Sequence, residues 1–318
     1  MEYRHFGHTD LKASVIGFGC GRIASLSASH HRKEIVATLS AALDSEINFF
    51  DTADSYGQGD SERLLGEVIR SRRDQVVVST KAGYRFGGIR RFARWVKPAA
   101  KLMLRRSESA YRISSTIRGD RLPQCFAPEY IISSVEGSLR RLKTEYIDMF
   151  LLHSPPSHII ADGAVFDALD RLKSKGLIRY YGVSCGSQED ALLCLRDPRI
   201  LTIQIQGNLL GIGILENVLE LADMRGVAIV VRQPFAQGHL LTHPALLEFV
   251  AKHPGRTPIQ TALRFVLQLR GVSVVLIGMT SRSHLAENLG AVTAPPLTCD
   301  EMGILHGMSN MKTKEVVR

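Results

Sequence analysis

The chain has 318 residues, 45% hydrophobic and 22% charged, a composition typical of a globular protein that excludes disorder over most of its length. Its 40 Lys and Arg residues against 31 Asp and Glu residues give a formal net charge of +9. The segment 84–122 alone holds 11 basic and 2 acidic residues, so the rest of the chain is neutral overall, and nucleic acid is not an expected partner.

The first predicted element is a small β-hairpin. Residues 3–13 alternate short extended runs with a turn near Gly7–Asp10, a pattern that indicates two antiparallel strands. We expect this hairpin to plug the bottom of the structure that follows.

Eight short apolar runs then alternate with amphipathic segments. The runs are continuous rather than alternating in polarity, which is typical of parallel strands covered by helices. The predicted strands are Val15–Gly19, Ile47–Asp51, Val76–Thr80, Ile147–Leu152, Ile178–Ser184, Thr202–Gln206, Val227–Val231 and Ser273–Ile277. The predicted helices are 31–44, 60–72, 128–142, 162–174, 187–196, 213–224, 244–269 in two pieces and 282–291, with a final helix over 298–309.

Eight such units predict an α/β protein of the (β/α)8 TIM barrel class. A doubly wound sheet is the competing architecture, but Gly17–Arg22 does not match the GxGxxG turn that usually follows its first strand. We therefore expect residues 1–318 to form a single barrel domain, with a long basic insert, 84–125, after strand three.

Four polar residues follow neighbouring strands at their carboxyl ends, where barrel enzymes place their reacting groups. They are Asp51, Tyr56, Lys81 and His153. A phenol is a poor acid at neutral pH, and a nearby ammonium stabilises its phenolate, so we expect Lys81 to lower the pKa of Tyr56. Asp51 would keep Lys81 charged, and His153 would orient or polarise a carbonyl oxygen.

The same region resembles the aldo-keto reductase family. The motifs are Ile47–Gly57, Ser61–Gly66, Ser79–Lys81, Ser134–Leu142, Tyr146–His153 and Gly182–Ser184, in the family's order and spacing. This resemblance implies an NAD(P)-dependent oxidoreductase whose catalytic tetrad falls on Asp51, Tyr56, Lys81 and His153. Tyr56 would exchange the proton while nicotinamide exchanges hydride with an aldehyde, ketone or sugar.

The resemblance also implies cofactor contacts at the ends of the later strands. Ser184 and Gln204 match the residues that hold the nicotinamide amide, whereas Cys185 replaces an asparagine and is a weaker hydrogen-bonding group. The further predicted contacts are Gly19, Arg232, Pro234, Gly238, Gly278, Thr280, Arg282, His284, Glu287 and Asn288. NADP(H) is the expected cofactor and NAD(H) the alternative, because His284 stands where relatives keep Arg or Gln for the 2′-phosphate.

The start of the chain, its apolar runs and the spacing of its cysteines indicate where the protein is found and whether it holds a metal. The start, Met1–Phe6, lacks the apolar core of a signal peptide, and no apolar run approaches the roughly 20 residues of a membrane span. The cysteines occur without a CxxC pair, which argues against a disulfide framework or a zinc site. We expect a cytoplasmic protein with no integral membrane segment and no metal.

The sequence is compatible with two function classes. One is an enzyme, either a carbonyl reductase or an NAD-dependent sugar dehydrogenase. The other is a non-catalytic, nicotinamide-cofactor-binding regulatory subunit. The sequence identifies neither the substrate nor the oligomeric state.

The positive charge of the insert indicates which substrates could enter the active site. Apolar residues from Ile89 to Met103 recur at helical spacing among arginines, interrupted by Pro98. Because the insert follows strand three, we expect it on the catalytic face, as a lid suited to an anionic substrate or an acidic partner. A membrane-surface role and a solvated loop are the alternatives.

Deletion of residues 86–120 tests the lid hypothesis. Activity on anionic carbonyl compounds should fall relative to activity on neutral ones, because the deletion removes most of the positive charge of the insert. Steady-state kinetics on the two substrate series would measure this. Unchanged kinetics on both series would contradict the hypothesis.

Overall fold

The computed structural model describes residues 1–23, 32–85 and 123–311. The predicted amphipathic helix of the insert therefore lies outside the described residues. No helix within the described ranges is long and apolar enough to cross a membrane.

The N-terminal hairpin closes the bottom of the molecule, as predicted. Its strands β1 (Tyr3–His5) and β2 (Lys12–Ser14) pair antiparallel. Phe6, between them, is fully buried and stacks on Phe49 with ring centroids 5.4 Å apart. Phe6, Leu11 and Ala13 of the hairpin belong to an apolar cluster made otherwise by side chains of the larger sheet.

Eight parallel strands form the closed barrel that the sequence predicts. They are β3 (Ile16–Gly19), β4 (Phe49–Asp51), β5 (Val77–Ala82), β6 (Ile147–His153), β7 (Ile178–Ser184), β8 (Thr202–Gln206), β9 (Ala228–Arg232) and β10 (Val272–Ile277). Each strand pairs with its neighbour in sequence, and β10 pairs with β3 to close the ring.

Helices surround this barrel and cover its outer face. They are α1 (Arg32–Asp44), α2 (Asp60–Ile69), α3 (Pro128–Leu142), α4 (Ser157–Asp162), α5 (Ala164–Ser174), α6 (Gln188–Cys194), α7 (Gly213–Arg225), α8 (Pro244–Lys252), α9 (Pro258–Gln268), α10 (Arg282–Thr293) and α11 (Cys299–Met311). Short 3-10 helices span Tyr56–Gln58, Arg70–Gln75 and Ala236–Thr242.

Most predicted boundaries differ from the observed ones by one or two residues, and three of these differences change the local structure. Gly163, at φ 72°, separates α4 from α5, so the predicted start of a helix at residue 162 is wrong. The predicted helix 60–72 changes to 3-10 geometry after Ile69. Strand β5 also continues through Lys81, because Lys81 and Ala82 pair with Leu151 and Leu152 of β6.

A buried carboxylate joins three elements near the amino ends of the strands. Asp148 of β6 receives Arg73 at 2.7 Å, Arg179 of β7 at 3.0 Å and the backbone N–H of Val78 at 3.0 Å. Only 1% of Asp148 is exposed, so its charge depends on these partners rather than on water.

Replacing Asp148 should therefore destabilise the barrel. We expect Asp148→Asn to lower the free energy of unfolding by about 3 kcal/mol, because two partly buried guanidinium groups lose their counter-charge. Urea denaturation followed by circular dichroism measures the change. The control is Asp10→Asn, an exposed carboxylate that also binds Arg179, with an expected loss below about 1 kcal/mol. Equal losses for the two variants would contradict this account.

Candidate active site

The carboxyl ends of the barrel strands bring the predicted site residues together. Asp51 ends β4, His153 ends β6, Ser184 ends β7 and Arg232 ends β9, while Lys81 lies near the end of β5. Tyr56 follows β4 in the 3-10 helix Tyr56–Gln58. Parallel strands direct these ends to one face, so residues far apart in sequence become neighbours.

A pocket of about 660 Å³ opens at this face. Of the predicted residues, those on its wall are Asp51, Tyr56, His153, Gly19, Ser184, Gln204, Arg232, Pro234, Gly238, Gly278, His284, Glu287 and Asn288. Lys81 does not line the pocket, because its side chain is fully buried behind Asp51. Thr280 and Arg282 are not on the wall either.

A buried ion pair forms the floor of the site. Lys81 Nζ donates to Asp51 Oδ2 at 2.6 Å and to the backbone oxygen of Thr52 at 2.9 Å. Asp51 Oδ1 accepts from Ser79 Oγ at 3.1 Å and from Gln204 Nε2 at 3.0 Å. Burial acts to lower the pKa of Lys81, but Asp51 and Tyr56 outweigh it and hold the pKa above its ordinary value. Lys81 is therefore a permanent cation here.

Tyr56 stands directly over this cation. Lys81 Nζ lies 5.2 Å from the centroid of the tyrosine ring. Burial raises the pKa of Tyr56 above its usual range, and Lys81 opposes that rise. Lys81 acts on this pKa in the predicted direction, but loss of hydration weighs more, so the pKa of Tyr56 is raised overall.

His153 is a neutral imidazole. Burial, with the nearby Lys81 and Arg232, holds its pKa well below the ordinary value. The rings of His153 and Tyr56 meet edge to face, with centroids 5.9 Å apart. The hydroxyl of Ser55 lies 3.4 Å from Nδ1 of His153. A neutral ring can donate one hydrogen bond and accept another.

The polar pair Ser184 and Gln204 lies on the pocket wall. Ser184 Oγ donates to Gln204 Oε1 at 3.2 Å. Cys185, which replaces the expected asparagine, does not reach the pocket: its Sγ lies 3.8 Å from Cys194 Sγ of α6. The backbone oxygen of Cys185 instead accepts from Arg232 at 3.0 Å. The weakly hydrogen-bonding thiol of Cys185 therefore lies outside the active-site pocket.

The other end of the pocket lies at the start of α10. Ser281 caps this helix by accepting a hydrogen bond from the backbone N–H of His284 at 3.3 Å. Thr280 Oγ1 lies 3.3 Å from His284 Nδ1, whereas Arg282 is exposed. The free N–H groups of a helix start suit an anionic group such as a phosphate.

Several wall residues were not predicted. They are Gly21, Arg22, Ser154, Gln233, Phe235, Gln237, Leu241, Ile259, Leu276 and Ile277. Ser154 and Gln233 directly follow a strand, so the strand-end rule could have found these two. Gly21 borders the Tyr56 ring, where an added Cβ would make ordinary van der Waals contact at 3.5 Å. Within the described ranges, no cluster of His, Cys, Asp or Glu could hold a metal ion.

Comparison with known proteins gives one consistent result. The sequence model of the Aldo/keto reductase family matches residues 15–310. The chain is 27% identical to L-galactose dehydrogenase of Arabidopsis thaliana over 321 residues, 92% of this chain and 88% of that protein.

Solved structures agree with the family match. The holo form of aldo-keto reductase AKR11C1 from Bacillus halodurans has a TM-score of 0.78 and 28% identity, covering 97% of this chain and 96% of its own. An aldo/keto reductase from Klebsiella pneumoniae in complex with NADP and acetate has a TM-score of 0.71 and 24% identity, covering 96% and 94%. At that identity the second likeness shows the fold alone.

A second carboxylate layer lies behind the ion pair. Glu62 of α2 is fully buried and binds Thr80 at 2.7 Å and Arg141 at 2.5 Å. Asp54 shares this region, but its Oδ1 has no hydrogen-bond partner within the described residues. Burial, and then the charge of Glu62, raise the pKa of Asp54 to about 7.

This raised pKa predicts a pH-dependent effect of Asp54→Asn. A protonated Asp54 adds no electrostatic cost to folding. As pH rises from about 4 to about 7, this carboxyl ionises in the unfolded chain but stays protonated in the folded protein, so the parent protein loses stability. The variant should exceed the parent in stability by only about 1 kcal/mol at pH 4.5 and by up to about 4 kcal/mol at pH 8. Chemical denaturation at both pH values measures this. Asp44→Asn, on the surface, is the control; an equal effect at the two pH values would refute the assignment.

Proposed function

Because this chain belongs to the aldo/keto reductase family, and is therefore an oxidoreductase, we propose that it interconverts a small carbonyl compound and its alcohol with NADP(H). Tyr56 is the proton donor and acceptor in this proposal. One observation carries it: a buried Lys81–Asp51 pair lies beneath Tyr56, at the floor of a pocket of about 660 Å³.

Proton transfer follows from the electrostatics of the site. A raised pKa keeps Tyr56 protonated at neutral pH, so the phenol has a proton to give to a carbonyl oxygen. Once that proton leaves, the phenolate lies beside the ammonium of Lys81. Asp51 holds this ammonium in place and charged, so the stabilising charge exists before the reaction begins.

His153 orients the substrate oxygen. In the tautomer that carries its proton on Nε2, Nδ1 accepts from the Ser55 hydroxyl 3.4 Å away, and Nε2 can donate a hydrogen bond to the substrate oxygen. A neutral donor suits this position because an imidazolium would compete with Tyr56 to deliver the proton. The low pKa of His153 excludes that form near neutral pH.

The residues present fit a nicotinamide dinucleotide. Ser184 and Gln204 have spare hydrogen-bonding capacity for a carboxamide, since each makes only part of its possible bonds in the structure. The start of α10 suits a phosphate, and Arg22 and His284 on the wall suit the additional phosphate of NADP(H). When bound, the nicotinamide supplies or accepts the hydride. Fluorescence titration with NADPH and NADH tests this preference.

The substrate class remains carbonyl compound or sugar within this proposal. The similarity to L-galactose dehydrogenase favours including aldoses in the substrate panel. A non-catalytic cofactor-binding regulator would bind the dinucleotide equally well. That alternative gains support if the parent protein binds NADPH, reduces no carbonyl compound and oxidises no sugar.

Tyr56→Phe separates catalysis from binding. Turnover should fall by at least about 100-fold, because general acid catalysis is lost. The dissociation constant for NADPH should change little. Stopped-flow single turnover and fluorescence titration measure the two quantities. Tyr3→Phe, on the exposed hairpin, is the matched control, and a Tyr56→Phe protein with parental turnover would refute the role of Tyr56.

A further inference from the structure

The two ends of the basic insert meet beside the active site. Tyr84 and Gln124 form an isolated antiparallel bridge. Arg85 donates its backbone N–H to Pro123 at 2.6 Å, and Cys125 donates to Gly83 at 2.8 Å. We call residues 83–85 and 123–125 the stem.

The stem is anchored on the barrel. The hydroxyl of Tyr130 in α3 donates to the backbone oxygen of Tyr84 at 2.9 Å. Gly83, at φ 142°, packs so closely on Phe126 that a Cβ would lie 2.4 Å from its ring. This close approach fixes where the stem leaves β5, and therefore where Tyr84 lies.

Both strands of the stem contact His153. The ring of Tyr84 meets the imidazole edge to face, with centroids 4.7 Å apart and planes at 78°. Gln124 Nε2 donates to the backbone oxygen of His153 at 3.3 Å and to that of Ser154 at 2.7 Å. One side of the stem thus contacts the ring, and the other holds the backbone that carries it.

The backbone after His153 needs such support. Ser154 has φ 52°, a left-handed conformation that is unfavourable for a residue other than glycine. Its N–H donates to Ser184 at 2.9 Å, and its oxygen faces Gln124. Without the Gln124 amide, this turn loses one of the contacts that hold it.

We propose that Tyr84 and Gln124 are positioning residues that set the orientation of the His153 imidazole, so that the base of the insert is part of the active-site framework. The inference rests on the proposed function for its kinetic consequence. Its structural content, the placement of the His153 ring, stands apart from catalysis and can be measured alone.

Gln124→Glu is the main test variant, since it keeps the side-chain shape but replaces the donor with an acceptor. In the full-length protein we expect kcat/KM for a carbonyl substrate to fall about 10-fold, the effect of losing about one net hydrogen bond. The NADPH dissociation constant should stay within about twofold. Gln75→Glu, an exposed site at the opposite end of the barrel, is the matched control.

A double-mutant cycle distinguishes positioning from general stability. In a His153→Ala background, Gln124→Glu should cost less than about twofold, because the ring that it orients is gone. The same loss in both backgrounds would overturn the proposal.

Nuclear magnetic resonance of ¹⁵N-histidine-labelled protein gives a readout without turnover. The His153 ring signals, assigned by their loss in His153→Ala, should shift in Gln124→Glu and in Tyr84→Leu, and return towards parental positions in Tyr84→Phe. If the parent protein lacks turnover, the proposed function fails while these shifts still support the positioning role. Unchanged ring signals in Gln124→Glu and Tyr84→Leu would overturn it.

Discussion

The buried pair of Lys81 and Asp51 is the constraint on which the site depends. Neither charge reaches water to a useful extent, so each needs partners from the protein. Lys81 donates hydrogen bonds to Asp51 and to the backbone oxygen of Thr52. Asp51 also accepts hydrogen bonds from Ser79 and Gln204. These partners come from β4, β5, β8 and the turn after β4. Because Gln204 crosses the interior from β8, the pair is fully satisfied only in the closed barrel.

This pair also governs the ionisation of its neighbours. The ammonium of Lys81 opposes the rise in the pKa of Tyr56 and contributes to the low pKa of His153. A protonated phenol and a neutral imidazole therefore stand side by side over one fixed cation. Behind them, the buried Glu62 pairs with the partly exposed Arg141. Asp54 lies beside this pair, and its Oδ1 has no hydrogen-bond partner within the described residues. Charge is thus arranged in layers from the pocket wall towards the outer helices.

The net charge of the chain belongs to a single segment, and that segment begins and ends at the active site. The ends pair through Tyr84 and Gln124, next to His153. The rest of the chain has no charge excess. Both ends of the segment that carries the excess positive charge are therefore attached to the barrel beside His153.

The sequence by itself determined the barrel, the hairpin and the convergence of Asp51, Tyr56, Lys81 and His153, because continuous apolar runs mark parallel strands and their ends share one face. It could not show that Gln204 donates a hydrogen bond to Asp51 or that Cys185 faces Cys194. Nor could it show that burial outweighs Lys81 and raises the pKa of Tyr56. The local order of apolar and polar residues indicates which face of a helix or strand is buried. Hydrogen bonds across the barrel and the balance between burial and charge depend on side chains distant in sequence, so only the tertiary structure decided them.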